Sequence, residues 1–335
     1  MTAVLPHDLL GRPLRDLRLS VIEACNFRCP YCMPADKIGD DHGMDAASRL
    51  SFDEIETLVR GFVQLGARKL RLTGGEPLLR KHLPDLVRRL ASIDGIEDLA
   101  LTTNGSLLAA HAQALRDAGL RRVTVSLDTL NPALFRELSG GRGVLADVLA
   151  GIEAAKDAGF GPIKLNCVLQ RGVNEDGIVE LAAYAREHGH VLRFIEYMDV
   201  GTCNGWSRER VVPSIDVRDR IHGHWPLQPL DPNYRGEVAA RHAYVDGAGE
   251  VGFVSSVSAP FCGDCHRARV SADGLLYTCL FAGAGHALRP LLAQGEDALA
   301  SHVMGLWEQR ADRYSEIRSE AGASRRHVEM FLVGG

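Results

Sequence analysis

Lys69-Leu-Arg-Leu-Thr-Gly-Gly-Glu-Pro77 is the stretch on which the fold turns. Leu70 and Leu72 alternate with Arg71 and Thr73. A period of two marks a strand with one apolar and one polar face. The glycine pair ends the strand, and Pro77 suits the first position of a helical turn. The same beat recurs along the chain. Arg18 and Ser20 sit among Leu17, Leu19 and Val21; Thr124 and Ser126 among Val123, Val125 and Leu127. Lys164 and Asn166 sit among Ile163, Leu165 and Cys167, and Arg193 between Leu192 and Phe194.

Strands are therefore expected near Leu17–Ile22, Lys69–Thr73, Asp98–Thr103, Arg122–Leu127, Ile163–Leu169 and Val191–Tyr197. Helical patterns lie between them, at Ser51–Leu65, His82–Ile93, Leu107–Ala118, Val144–Ala158 and Asp176–His188. Ser51 with Glu54 is a capping box, and Gly66, Gly119, Gly159 and Gly189 stand where helices should stop. Strand–helix alternation implies a parallel sheet with right-handed crossovers. The fold class is α/β, read as a partial (β/α)6 barrel over residues 1–225. Beyond it, Trp225-Pro226, Pro229 and Asp231-Pro232 break the pattern. Residues 226–335 are expected to form a smaller α+β domain closing the barrel, with strands near Val251–Val257 and His266–Val270 and a helix near Ala293–Arg310.

The chain has 335 residues, 46% hydrophobic and 24% charged, which suits a globular protein of about two domains. Its net charge of −5 gives no whole-protein basic footprint for nucleic acid. No apolar run approaches the ~18 residues of a membrane span, and Met1–Arg18 lacks the pattern of a secretory signal. The expectation is a cytoplasmic protein with no membrane partner.

An ordinary eight-stranded barrel fills its interior with branched aliphatic side chains. Here the polar faces carry Arg18, Arg71, Lys164 and Arg193. Charges withdrawn from water without partners cost several kcal/mol each. A wet lumen that takes an anion resolves the conflict, and four cations suit a polyphosphate. The competing reading places some of these residues on exposed faces or beside distant carboxylates.

The chain has eight cysteines. Cys25, Cys29 and Cys32 form C-x3-C-x2-C; Cys262, Cys265 and Cys279 form C-x2-C-x13-C; Cys167 and Cys203 stand apart. In a reducing compartment, clustered thiols read as metal or iron–sulfur ligands. Three thiolates hold three irons of a [4Fe–4S] cluster and leave one iron open. A zinc site is the rival at both places, completed by His42 at the first or by His266 or His286 at the second. Arg267 and Arg269 flank Ala268, so in a strand both point the same way, placed to grip a phosphate or a guanine edge. Glu76, Thr102, Asn104, Ser126, Asp128 and Met198 fall at strand C-terminal ends, where parallel barrels place their sites.

The first triad with Tyr31 inside it, together with Gly74-Gly75-Glu76-Pro77, resembles the radical S-adenosylmethionine superfamily. A closer resemblance is to its GTP 3′,8-cyclase family, which acts in molybdenum cofactor biosynthesis. It rests on Asp16-Leu-Arg18-Leu-Ser20, Leu72-Thr-Gly-Gly-Glu-Pro77, Leu101-Thr-Thr-Asn-Gly105, Arg193-Phe-Ile-Glu-Tyr-Met198-Asp-Val-Gly201, Phe261-Cys-x2-Cys265-x-Arg-Ala-Arg269 and the terminal Gly334-Gly335. Two departures stand out. Ile22-Glu23, with Ala24 intervening, occupies the place of a usual Thr-Asp pair before the first cysteine, and His266 replaces the usual Asn or Thr.

The resemblance implies two [4Fe–4S] clusters, on Cys25, Cys29 and Cys32 and on Cys262, Cys265 and Cys279. It implies S-adenosylmethionine contacts at Tyr31, Gly75, Ser126 and Met198, with Glu76 beside them. It implies GTP contacts at Arg18, Arg71, Thr102, Lys164, Arg267, Ala268 and Arg269, with Arg193 a further phosphate candidate. The tail, Gly334 and Gly335, is expected to reach the active site. The implied reaction is reductive cleavage of S-adenosylmethionine to a 5′-deoxyadenosyl radical. That radical takes the hydrogen from C3′ of GTP, and C3′ then bonds to C8. Implied partners are an electron donor, a downstream cyclic pyranopterin monophosphate synthase and a second copy in a homodimer. The alternatives are a radical peptide maturase with an auxiliary cluster and a zinc-stabilised binding module.

Overall fold

The computed structural model of the protein describes residues 5–39, 43–318 and 327–334. Six strands arise where the two-residue pattern places them: β1 (Asp16–Ser20), β2 (Lys69–Thr73), β3 (Asp98–Thr103), β4 (Arg122–Ser126), β5 (Lys164–Leu169) and β6 (Val191–Glu196). Helices α1 (Phe52–Gln64), α2 (Leu83–Ala91), α3 (Leu108–Asp117), α4 (Pro132–Leu138), α5 (Leu145–Asp157), α6 (Ile178–Glu187) and α7 (Ser214–His224) follow in turn. The capping box opens α1: Ser51 Oγ accepts from Glu54 N at 3.2 Å, and Glu54 Oε2 accepts from Ser51 N at 2.7 Å. Helix α4 was not expected from periodicity. Its start is nonetheless written in the chain, because Asn131 Oδ1 accepts from Ala133 N and Leu134 N and Pro132 takes the first helical position.

The later elements are β7 (Leu227–Pro229), β8 (Ala240–Tyr244), β9 (Glu250–Val254), β10 (Arg267–Val270), β11 (Leu275–Tyr277), β12 (His286–Ala287), α8 (Arg289–Leu292), α9 (Glu296–Glu308), α10 (Tyr314–Ile317) and α11 (Met330–Val333). Their strands join the first six in one sheet, ordered β12-β11-β10-β1-β2-β3-β4-β5-β6-β9-β8-β7. From β10 to β9 every neighbouring pair is parallel. The C-terminal residues thus lengthen the sheet at both edges, β10 beside β1 and β9 beside β6.

One cavity of about 350 Å3 is lined from all eight of these parallel strands, including Arg18, Arg71, Thr102, Arg122, Lys164, Arg193, Gly252 and Arg269. A flat sheet offers no such common space, so the parallel strands curl into a trough. Their outer faces supply the core. Leu17, Leu19, Leu70, Leu72, Leu101, Val125, Leu165 and Phe194 are buried under Ile55, Leu58, Phe62, Leu86, Leu90 and Leu115 of the helices. Each such side chain contributes roughly 1.5–3 kcal/mol relative to exposure. Among the described residues, no helix is long and apolar enough to cross a membrane.

This division of faces makes a direct prediction. Leu72 is fully buried against the helices, so Leu72→Ala should cost about 2–5 kcal/mol in anaerobic denaturant unfolding. Arg88 meets Asp85 in an exposed pair, and Arg88→Ala should stay within about 0.5 kcal/mol of the parent.

Candidate active site

The register of the sheet decides the chemistry of the trough. Arg18 of β1 stands opposite Arg71 of β2 on one side and Arg269 of β10 on the other. Three guanidiniums therefore share one row across strands spaced about 4.8 Å apart. Arg71 is steadied by neutral partners, donating through Nη1 to Thr102 Oγ1 at 3.0 Å and Thr124 Oγ1 at 3.1 Å. Arg193 Nε donates to Asn166 Oδ1 at 2.9 Å. Arg18 and Lys164 have no hydrogen bond or close ion pair among the described residues.

Burial and like charge act together on this wall. Burial first, then Arg269, Arg267 and Arg71, hold the Arg18 guanidinium well below its ordinary range. Burial with Arg193, Arg122 and Arg71 brings Lys164 down to about 8. Arg193 falls to about 9 by burial and by Arg71 and Arg122. The competing reading of exposed or carboxylate-paired cations does not describe these four.

Lys69 and Arg122 also line the trough and were missed in the sequence. Both share the strand parity of residues that were recognised, Arg71 and Thr124. Arg122 is bound by Asp98, with Nε donating to Oδ1 at 2.7 Å. Lys69 lies over the Tyr234 ring, 3.0 Å from its centroid.

The first cysteine loop leaves the C-terminal end of β1. Gly75 N donates to Ile22 O and Glu76 N to Ala24 O, both at 2.8 Å. This stitches the Gly-Gly-Glu-Pro turn to the residues that lead into Cys25. A Cβ on Gly75 would lie 2.3 Å from Ala24 O, so only glycine fits the stitch. Glu23 is buried there, and its carboxylate accepts from Arg49 Nε at 2.8 Å, Arg49 Nη2 at 2.6 Å and Met44 N at 2.7 Å. The unusual acid before the cluster loop thus ties that loop to residues 44–49.

Glu76 is placed differently from what its motif suggests. Its carboxylate is fully buried and accepts from Leu78 N, Thr103 Oγ1 and Asn104 N. Burial outweighs those bonds and lifts it to about 7. Its lone pairs organise the β2 and β3 ends rather than facing the cavity. Gly75, Tyr31, Ser126 and Met198 do line the cavity. Tyr31 OH donates to Asp128 Oδ2 at 2.7 Å, while Asp128 Oδ1 accepts from Val168 N at 2.8 Å. Burial lifts the Asp128 carboxyl to about 6.

The second triad sits at the other end. Cys262 and Cys265 precede β10, which runs parallel to β1, and Cys279 follows the antiparallel β11. Cys25, Cys29 and Cys32 follow β1. A five-residue strand separates the two ends by roughly 17 Å, and all six sulfurs' residues line the same cavity. Arg267 Nη2 donates to Cys265 Sγ at 3.4 Å. Ala268 is fully buried opposite Leu17 on the outer face, so it spaces the two arginines rather than facing the cavity.

The C-terminal segment enters the trough. Arg269 Nη1 donates to Val333 O at 3.3 Å and also to Gly334 O. A Cβ on Gly334 would lie 2.1 Å from Thr73 Cγ2, and its φ is +70°. Glu329 anchors the segment, accepting from Thr202 N at 2.8 Å, Thr202 Oγ1 at 2.7 Å and Cys203 Sγ at 2.8 Å. Gly335 and His42 lie outside the described residues.

The thiols fit iron–sulfur clusters. All are unpaired cysteines. Phe27 N donates to Cys25 Sγ at 3.4 Å and Phe281 N to Cys279 Sγ at 3.5 Å, so donors are already aimed at sulfur. Burial drives Cys25 up to about 11 and Cys279 to about 12. Such thiols lose their protons to a metal rather than to water. Cys265 differs: burial opposes ionisation there, but Arg267 and Arg310 prevail and bring it down to about 6. Among the described residues, no group of three or more His, Cys, Asp or Glu side chains is set to hold a metal ion. A cluster takes one thiolate per iron and so asks for wider spacing than one ion does.

Residues 19–185 match the Radical SAM superfamily model, and residues 190–316 match Molybdenum Cofactor Synthesis C. A GTP 3′,8-cyclase of Xanthomonas campestris pv. campestris (strain B100) is 68% identical over 335 residues, covering 100% of this chain and 99% of the relative. One from Acidothermus cellulolyticus is 52% identical, covering 98% of this chain and 99% of the relative. Among solved structures, Streptococcus suis SuiB bound to S-adenosylmethionine superposes with a TM-score of 0.63 at 15% identity, over 95% of this chain and 76% of that one, a likeness of fold. With identity of this extent along its whole length, and both cysteine triads facing one cationic trough, the chain belongs to the GTP 3′,8-cyclase family of the radical S-adenosylmethionine superfamily.

Proposed function

We propose that the chain is a GTP 3′,8-cyclase whose trough holds the nucleotide between two [4Fe–4S] clusters. The observation that carries this reading is the row Arg269, Arg18 and Arg71 lying between thiol triads at opposite ends of the strands. Cys25, Cys29 and Cys32 hold one cluster, and Cys262, Cys265 and Cys279 hold the other. When bound, the clusters and S-adenosylmethionine supply the hydrogen-abstraction chemistry that joins ribose C3′ to base C8.

The chain's own residues bind, orient and shield. Arg18, Arg71, Lys164 and Arg193, with Thr102 steadying Arg71, take the triphosphate. Arg267 and Arg269, spaced by Ala268, hold the nucleotide toward the second cluster. Tyr31, Gly75, Ser126 and Met198 seat S-adenosylmethionine, and Glu76 keeps the corner beneath it rigid. Gly334 fills the gap beside Thr73 and excludes water. Residues 1–225 form the radical unit and 226–335 the auxiliary-cluster unit. An external electron donor, transfer of product to cyclic pyranopterin monophosphate synthase, a cytoplasmic setting and a homodimeric assembly complete the proposal on family grounds alone.

The test is anaerobic incubation with GTP, S-adenosylmethionine and a strong reductant, with the product identified. The cyclised nucleotide is expected from protein carrying about eight irons per chain. Colourless protein with stoichiometric zinc and no such product overturns the reading. Arg71→Ala should weaken GTP binding about 10–150-fold, matching the roughly 1.5–3 kcal/mol of one charge-assisted contact, with the first cluster's spectrum unchanged.

The trough should also respond to pH. Lys164 is a cation below about 8 and neutral above it. Bound phosphate favours the cation, so binding takes up a proton. GTP affinity should therefore fall as pH rises above about 8. In Lys164→Met the fall across that range should be shallower; an unchanged slope in equilibrium titrations would remove Lys164 from the phosphate site.

A further inference from the structure

A clasp of three buried charges lies behind the second triad. Arg12 Nε meets Asp8 Oδ2 at 2.6 Å, and Arg310 Nη1 meets the same oxygen at 3.0 Å. Both arginine side chains are 1% exposed and the aspartate is 0% exposed. Three buried ions of this kind persist only when their remaining donors find acceptors. Those acceptors belong to the cysteine segments.

Arg12 Nη1 donates to Cys262 O at 2.6 Å. Arg310 Nη1 donates to Cys265 O at 2.7 Å, Arg310 Nη2 to Cys265 Sγ at 3.4 Å, and Arg310 Nε to Thr278 O at 3.0 Å, next to Cys279. Two guanidiniums sharing one carboxylate therefore reach all three cysteine positions. The loop carrying Cys262 and Cys265 and the strand end before Cys279 are separated by β10 and β11, and Arg310 bonds to both. Trp307 fixes the clasp from behind, donating through Nε1 to Arg12 O at 3.0 Å, and Arg310 lies 4.5 Å from its ring centroid.

The charge balance points the same way. Two buried cations face one fully buried anion, with the half-exposed Asp312 3.4 Å from Arg310. Arg12 Nη2 is buried with no hydrogen-bond partner among the described residues. The surplus positive charge and the unused donor suit an anionic group of thiolates and sulfide.

We propose that Arg310, locked to Arg12 through Asp8, is a positioning residue for the second cluster: it sets the spacing of Cys265 and Cys279 and draws charge from the Cys265 sulfur. This rests on the reading of that triad as a cluster site. Hydrogen bonds to ligand sulfur and nearby positive charge raise the potential of such a cluster. Arg310 thus makes the second cluster easier to reduce and harder to strip.

The experiment compares wild type, Arg310→Lys and Asp8→Asn after anaerobic reconstitution. Lysine keeps the charge for Asp8 but cannot span both segments. The expected result is folded protein with a lowered unfolding temperature, as loss of a buried partner requires, and an unchanged rate of adenosylmethionine cleavage at the first cluster. The second cluster's paramagnetic signal should shift, its potential should fall, and the chelator concentration that removes half its iron should drop about 10–100-fold. Asp8→Asn, which unlocks both guanidiniums, should likewise shift the paramagnetic signal and lower the chelator midpoint. Folded variants with the wild-type signal and chelator midpoint overturn the proposal. Failure of both variants to fold also overturns it, because the clasp is then a folding element. Wild type that retains only four irons or binds zinc overturns the cluster reading instead.

Discussion

Like charge held in register is the constraint on which this molecule depends. Parallel pairing puts Arg18 beside Arg71 and Arg269 in one row. At strand spacing, and with an effective dielectric near 20, each neighbouring pair of unit charges repels on the order of 3 kcal/mol. Aliphatic packing offers these groups nothing. The trough must stay open and must take an anion, and that requirement explains why the interior is a site rather than a core. The neutral hydroxyls of Thr102 and Thr124 make sense in the same frame. They hold Arg71 in position without spending its charge.

The C-terminal residues complete the trough rather than capping it from outside. Strand β10 brings Arg267 and Arg269 to one edge, and β9 brings Gly252 to the other, opposite Arg193. The bare backbone of Gly252 leaves room where the Arg193 stem passes: an added Cβ would stand 3.2 Å from Arg193 Cγ. Gly334 closes a third side against Thr73. Cavity-lining groups therefore come from both halves of the chain, and neither half builds the trough by itself.

The parts legible in the sequence were those governed by local rules. Alternation along β1, β2, β4, β5 and β6 disclosed both the strands and the facing of Arg18, Arg71, Lys164 and Arg193, because side-chain direction in a strand depends only on parity. By the same rule Lys69 and Arg122 were readable. Both lie inside strands that the pattern marks, two residues before Arg71 and Thr124 on the same face. The flanking positions of β9 and β10 carry no local mark, since edge selection depends on contacts distant in sequence, Leu192 with Val251 and Asp16 with Arg267. Glu76 shows a second kind of limit. Its charge is plain in the sequence, but whether its oxygens face a ligand or Leu78, Thr103 and Asn104 depends on a turn that only the folded chain defines. Gly334, near a terminus, likewise reads as loose chain until Thr73 and Arg269 are seen around it.

The first triad and Cys265 of the second have different electrostatic surroundings. Around Cys25, Cys29 and Cys32, burial dominates, and Asp128 and Glu76 add negative charge nearby. Those thiols therefore give up their protons only when a metal takes the sulfur. Around Cys265, Arg267 and Arg310 outweigh burial. Those cations favour its thiolate, whereas burial and Asp312 push Cys279 up. The cationic wall thus runs from an acid-flanked triad at one end to a guanidinium-flanked sulfur at the other, so one trough offers opposite local charge at its two ends.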